Sequence, residues 1–146
     1  MFTAVTTFNT KKHDFAIEMI ESFLLNWPNK IKLYAFLENP KLIDNTAVKN
    51  KLIIKDFHYE IPEYQHFCHK FKHKEKYTDD FKFNVFRFAY KVYAIFKALK
   101  YNQSRYLIWL DADIKTHKKI PVSFLKKLIK KDHYMSYLGR NHIKMK

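Results

Sequence analysis

The chain opens on FTAVTTF (2–8), a short apolar run rich in β-branched residues that predicts a buried strand. From Lys11 to Trp27 the period lengthens to that of a helix. Ala16, Met19, Ile20, Phe23 and Trp27 share one face, with Glu18, Glu21, Ser22 and Asn26 opposite. Pro28 and Asn29 end it. IKLYAFLE (31–38) and KLIIKDF (51–57) read as two further strands, the first closed by the turn Asn39-Pro40. Residues 58 to 82 carry a short helix over 62–72 and then a basic loop. Asn84 is placed to cap the next helix, which runs to about Tyr101, with Val85, Phe88, Ala89, Val92, Phe96 and Leu99 as its expected buried stripe. After Asn102-Gln103-Ser104, RYLIWL (105–110) is apolar on both faces and predicts a central fourth strand. Pro121 starts a helix with Leu125, Leu128 and Ile129 on one side, and YMSYLG (134–139) is expected to be a fifth strand.

Strands that alternate with helices give an α/β fold with a mostly parallel sheet, and 146 residues fit one domain, 1–146. In such sheets ligands sit beyond the carboxyl ends of the strands. The fourth strand runs into Asp111-Ala112-Asp113. On an extended chain the two carboxylates share a face, where they repel unless a cation lies between them.

Composition narrows the classes. Hydrophobic residues make up 47% of the chain and aromatics 18%, which excludes disorder over most of its length. No apolar run reaches membrane-spanning length, the N-terminus lacks a signal-peptide layout, and the single cysteine, Cys68, fits a reducing compartment; a cytoplasmic location is expected. The formal charge of +14 invites polyanions or phosphorylated small molecules. The lysines are scattered rather than striped, however, and fit an ordinary solvated surface. Two aspartates at the ligand-facing strand end would also repel bare phosphate, so a non-enzymatic nucleic-acid binder is the alternative and not the leading expectation.

Hard cations such as Mn²⁺ and Mg²⁺ take one or two carboxylates together with phosphate oxygens and water, and Asp111 and Asp113 suit that role. The competing use is helix capping or pairing with nearby lysines. A phosphatase of the haloacid-dehalogenase type wants Thr or Val two residues after the second aspartate, where this chain has Lys115. A nucleotidyltransferase wants a glycine-rich phosphate loop after the first strand, but the only glycine is Gly139. A glycosyltransferase needs a metal held by D-x-D and basic side chains near the donor diphosphate. Arg87 and Lys91, four apart on the preceding helix, either supply these or are solvated surface charges. His66, His69 and His73 recur near Cys68 without any metal-binding motif and read as surface residues. Ser104 and Ser123 lack a nucleophile turn.

FRFAYKVYAIFKAL, RYLIWLDADIKTHKKIP and YMSYLGR together resemble the GT-A-fold, nucleotide-sugar-dependent glycosyltransferases, in particular a bacterial and phage group with a D-x-D motif. The resemblance implies a Rossmann-like nucleotide-diphospho-sugar transferase fold and a metal-dependent transfer from a UDP- or GDP-sugar to a glycan, lipid or protein acceptor. It further implies that Thr6, Thr7 and Phe8 line base and ribose and that Lys91 contacts the donor. Asp111 would face ribose or metal, and Asp113 would bind Mn²⁺ or Mg²⁺ with the diphosphate. Members of the group run on past L-G-R into a segment that helps bind acceptor, whereas this chain stops at GRNHIKMK. The expectation is therefore a donor-binding half, with the acceptor half and any late histidine ligand missing and the catalytic base unassigned. An inactive donor-binding remnant is the corresponding alternative.

Overall fold

The structure is a computed structural model that describes residues 2–9, 13–43, 50–73, 85–129 and Met135. Four strands, β1 (Phe2–Phe8), β2 (Lys32–Leu37), β3 (Leu52–Asp56) and β4 (Tyr106–Trp109), form one parallel sheet in the order β3-β2-β1-β4. Helix α1 (His13–Asn26) links β1 to β2. Helices α2 (Phe57–Glu60), α3 (Pro62–Lys70) and α4 (Val85–Tyr101) stand between β3 and β4, and α5 (Val122–Leu128) follows β4. The α/β class and the parallel sheet follow the sequence pattern, and the sheet is compatible with a Rossmann-like fold. The expected cap at Asn84 and the expected strand at 134–139 fall outside the described residues, apart from Met135.

Every residue of β1 is buried, because both faces of that strand are covered. On one face Phe2, Ala4 and Phe8 join the α1 stripe of Ala16, Met19, Ile20, Phe23 and Trp27, as its spacing predicts, and Leu125 of α5 completes that layer. On the other face Val5 and Phe36 meet Phe57, Ile61, Ala94 and Ala98 from α2, the residue after it, and α4. The two layers are separate cores, one on each side of the sheet.

Among the described residues β4 lies at an end of the strand order, beside β1, and all four of its residues are half-buried. Tyr106 and Ile108 pack against one layer and Leu107 and Trp109 against the other, which accounts for its unbroken apolar run. One expectation, for α4, is corrected. The expected stripe is outward: Val85, Phe88, Val92, Phe96 and Leu99 are between 45% and 64% exposed, and Ala89 is half-buried. The face turned to the sheet holds Ala94 and Ala98, both fully buried. Methyl side chains let the helix axis come close to β1, and the larger rings of Tyr90, Tyr93 and Tyr101 pack at the sides. Periodicity identified which residues share a face, and the sheet took the small ones.

Two polar devices hold the layers. Lys51, buried just before β3, donates to the carbonyls of Phe23, Leu24 and Trp27 at 3.3, 2.8 and 2.7 Å. Its ammonium thereby satisfies the C-terminal end of α1, where helix carbonyls have no partners of their own. On the opposite layer Glu60 receives Tyr101 Oη, Lys55 Nζ at 3.1 Å and Lys97 Nζ at 3.6 Å, tying α2, β3 and α4 together. Burial works to raise the Glu60 carboxyl, but its hydrogen-bond partners and the two lysine charges outweigh that and hold it below its ordinary value. The same contact, with burial second, pushes the Tyr101 phenol up to about 12.

Substituting Phe96→Ser is expected to change stability by no more than about 0.5 kcal/mol, as at other exposed sites, whereas Ala98→Leu overpacks the helix–sheet contact and costs about 1–3 kcal/mol. Urea denaturation of the two variants checks the inverted face. For Tyr101 the folded chain keeps a phenolic proton that the unfolded chain releases near pH 10, so this contribution is full below pH 10 and is lost as pH rises toward about 12. Alkaline denaturation should show a shallower loss over that window in Tyr101→Phe than in wild type.

Candidate functional site

A sheet ordered β3-β2-β1-β4 reverses direction at β1: the chain steps outward through β2 and β3, then returns to the far side of β1. Ligands of open α/β sheets commonly sit beyond the carboxyl ends of the strands at such a reversal. Here the strands are β1 and β4, and the connections leaving both pack on the α1 face, with α4 on the other. Their pairing runs from Phe2↔Tyr106 to Val5↔Trp109, and Leu110 N adds a last bond to Val5 O at 3.0 Å. Thr6, Thr7 and Phe8 continue beyond the last paired residue of β4, alongside β2. Asp111 leaves the sheet beside them.

The segment after β4 turns at once. Ile114 N donates to Asp111 O at 3.1 Å, closing a turn across 111–114, so the extended-chain parity that put both aspartates on one face ends here. Asp111 follows Trp109 onto the α4 side, Ala112 packs against the α1 layer, and Asp113 is exposed. Asp111 Oδ1 accepts from Lys91 Nζ and from Trp109 Nε1, both at 2.7 Å. The Lys91 ammonium also lies 4.8 Å from the centre of the Trp109 ring. Lys91, Trp109 and Asp111 thus meet in one group in which the ammonium answers the carboxylate charge.

Beyond the turn the loop is fastened to α1. Asn26 Nδ2 donates to Thr116 O at 2.6 Å, Thr116 N to Ser22 Oγ at 3.0 Å, Trp27 Nε1 to Thr116 Oγ1 at 3.0 Å and Ile120 N to Asn26 O at 2.8 Å. Ser22 and Asn26, expected on the solvent side of α1, are buried by this loop. Lys115 reaches Glu18 at 3.2 Å at the surface. The Asp111–Asp113 turn therefore hangs between two anchored points, β4 and Thr116, instead of on a loose connection.

The remaining site candidates fall into place unevenly. Lys91 is brought to Asp111, and Arg87 lies one turn earlier on α4, exposed. Thr6, Thr7 and Phe8 border the reversal by position, but their side chains are buried. Phe8 belongs to the α1 core, and Thr7 Oγ1 donates to Phe36 O at 2.7 Å. Thr6 Oγ1 is buried with no hydrogen-bond partner among the described residues. Beside Thr7, Tyr90 stacks on Phe57 with ring centres 3.6 Å apart; burial first, and then the Glu38 charge, raise its phenol above the ordinary value. His66, His69 and His73 are exposed, and no group of three or more His, Cys, Asp or Glu side chains gathers among the described residues. A divalent cation here would thus draw most of its ligands from water and substrate oxygens, as Mg²⁺ commonly does. The exposed hard carboxylate of Asp113 fits that pattern. At Asp111 the cation competes with an ammonium already in place.

Trp109 and Thr116 escaped the sequence reading. Trp109 had a usable signal, since it lies two residues before Asp111 on one strand and so shares its face. Thr116 had none, because its partners on α1 are about ninety residues away in the chain. No protein-family model, no curated protein and no solved structure matches this chain.

The orphan hydroxyl of Thr6 gives a direct check on its role. Replacing it with the near-isosteric valine removes a buried polar group that lacks a partner, so Thr6→Val should raise stability by about 1 kcal/mol in chemical denaturation. A loss of stability would mean that the hydroxyl is satisfied.

Proposed function

We propose that this chain is the donor-binding domain of a GT-A-type glycosyltransferase, moving a sugar from a UDP- or GDP-sugar to the hydroxyl of a glycan, lipid or protein acceptor. The observation that carries this reading is the reversal of the parallel sheet between β1 and β4, with Lys91, Asp111 and Asp113 at its carboxyl side. Diphosphate-bearing ligands are commonly held at such reversals. The D-x-D resemblance names the chemistry, and the anchored turn supplies the rigidity that a binding group requires.

In this reading Asp113, exposed and on a fixed turn, holds Mn²⁺ or Mg²⁺ together with the donor diphosphate. The cation's contribution is to stabilise negative charge on the departing nucleoside diphosphate. Lys91, and Arg87 one turn away, lie on the side where the diphosphate would arrive, and their charges oppose its own. Thr6, Thr7 and Phe8, at the end of β1, support the edge on which base and ribose would rest. Asp111 orients Lys91 and is the nearer carboxylate to the β1 strand end. Transfer of the sugar from the nucleoside diphosphate to the acceptor hydroxyl would complete the reaction.

Calorimetric titration of UDP- and GDP-sugars in the presence of Mn²⁺ tests this. Wild type should bind one of the two classes, with Asp113→Ala weakening it by about tenfold or more, equivalent to about 1.4 kcal/mol. Equal affinity in both proteins, or no binding to any nucleotide sugar, would overturn the reading. A steeply salt-dependent affinity for DNA or RNA, indifferent to Asp113, would instead favour the basic nucleic-acid binder.

A further inference from the structure

The outer face of α4 is apolar without being buried. Val85, Phe88, Val92, Phe96 and Leu99 are between 45% and 64% exposed and share the side of the helix opposite Ala94 and Ala98. At 1.5 Å per residue they make a stripe about 21 Å long, close to four helical turns. Single apolar residues at a surface need no explanation, whereas a contiguous stripe marks a place where something docks.

Two features bear on what the occupant is. The first is charge. Helix α4 carries Arg87, Lys91, Lys97 and Lys100 and no acid. Lys91 and Lys97 are engaged by Asp111 and Glu60. Lys100 in the last turn, and Lys72 just past α3, are exposed and have no acidic partner among the described residues. Lys72 stands near the first turn of α4, because it lines a cavity of about 400 Å³ together with Phe86, Tyr64, Cys68 and His69. Cations therefore flank the stripe at both of its ends. A second copy of this chain would bring like charges face to face there, which disfavours a homodimer through α4. The second feature is the cavity itself. It opens between α3 and α4 beside the start of the stripe, and a side chain of a folded segment can enter it. A flat lipid surface would leave it unfilled.

We propose that the outer face of α4 docks an acidic amphipathic helix of a partner protein. Apolar residues of that helix at i, i+4 and i+7 lie along Val92, Phe96 and Leu99, in the helix-in-groove manner. One further apolar residue enters the cavity beside Phe86, and carboxylates on the flanks meet Lys72 and Lys100. The surface faces away from the sheet, so docking is independent of any chemistry at Asp111 and Asp113.

The probe is a labelled synthetic peptide of about 18 residues, enough to match the stripe, with leucines at those spacings and glutamates on its flanks. A counterpart has lysine for every glutamate. Fluorescence anisotropy follows both during titration with the full chain. The proteins are wild type, Phe96→Ser/Leu99→Ser, Lys72→Glu/Lys100→Glu, and Lys118→Glu/Lys127→Glu as a charge-matched control away from α4. All of these positions are exposed, and far-UV circular dichroism confirms that each variant is folded. Wild type should bind the acidic peptide about tenfold or more tightly than the basic one, with the gap narrowing as salt is raised. Phe96→Ser/Leu99→Ser should weaken the acidic peptide by about tenfold or more. Lys72→Glu/Lys100→Glu should remove the preference, and the control should keep it. Equal binding of the two peptides, an affinity unmoved by the serine variant, or a preference lost equally in the control would overturn the proposal. Sedimentation velocity and co-sedimentation with phosphatidylglycerol vesicles test the rival occupants. A dimer, or vesicle binding, that is lost in the serine variant while the acidic peptide stays unbound would refute it as well.

Discussion

The burial of β1 on both faces is the constraint from which the architecture follows. Seven consecutive residues, Phe2 to Phe8, are withdrawn from solvent, so the strand needs a helix layer above and below and a neighbour on each side to satisfy its backbone. β2 takes one side through a right-sized connection, α1. The other side is filled from β4 only after the chain has passed through β3, α2, α3 and α4. A chain that builds outward and then returns to its first strand must reverse there, and the carboxyl ends of β1 and β4 come to lie side by side. The candidate site is thus a consequence of where the most buried strand lies in the sequence.

What turns such a reversal into a site is stiffness, and polar contacts supply it at both ends. Lys51 satisfies the last carbonyls of α1, fixing that helix against β3. The fixed helix then offers Ser22, Asn26 and Trp27 to Thr116, which sets where the chain goes after Asp113. On the other layer Glu60 gathers groups from β3 and α4, which fixes the helix that carries Lys91. The turn at Asp111–Asp113 and the ammonium that faces it therefore belong to two different helix layers. They meet only because both layers are tied to the same sheet.

The sequence made the strands, the α1 face and the α5 face legible because burial against a sheet imposes a period that one helix or strand displays by itself. It left two features obscure for the same physical reason. The apolar stripe of α4 is as regular as that of α1, yet it points outward, because the partner face is selected by how closely a helix approaches and Ala94 and Ala98 permit the closer approach. The unbroken apolar run of β4 comes from covering layers on both of its faces, and such a run does not by itself reveal the strand order. In the site, Asp111 and Asp113 were visible as a motif and Lys91 as a neighbour on a helix. That Lys91 closes onto Asp111, and that Asp113 turns away from it, depends on a single turn hydrogen bond that residue spacing does not encode.

The distribution of charge bears on what the strand ends accept. The chain has 28 basic and 14 acidic side chains, yet acids stand at the carboxyl side of three strands: Glu38 after β2, Asp56 ending β3, and Asp111 with Asp113 after β4. Asp56 is occupied as the cap of α2, accepting from Tyr59 N at 2.9 Å, and Asp111 is answered by Lys91, so the exposed Asp113 carries its charge into solvent. At ordinary ionic strength a field of single charges fades within about 10 Å. A ligand within that distance of the surface meets the positive excess, whereas one that reaches the strand ends meets local carboxylates. Attraction over the surface and refusal at the strand ends together disfavour a bare polyanion. They favour an anion that brings its own cation, and such a ligand draws on both signs of charge at once.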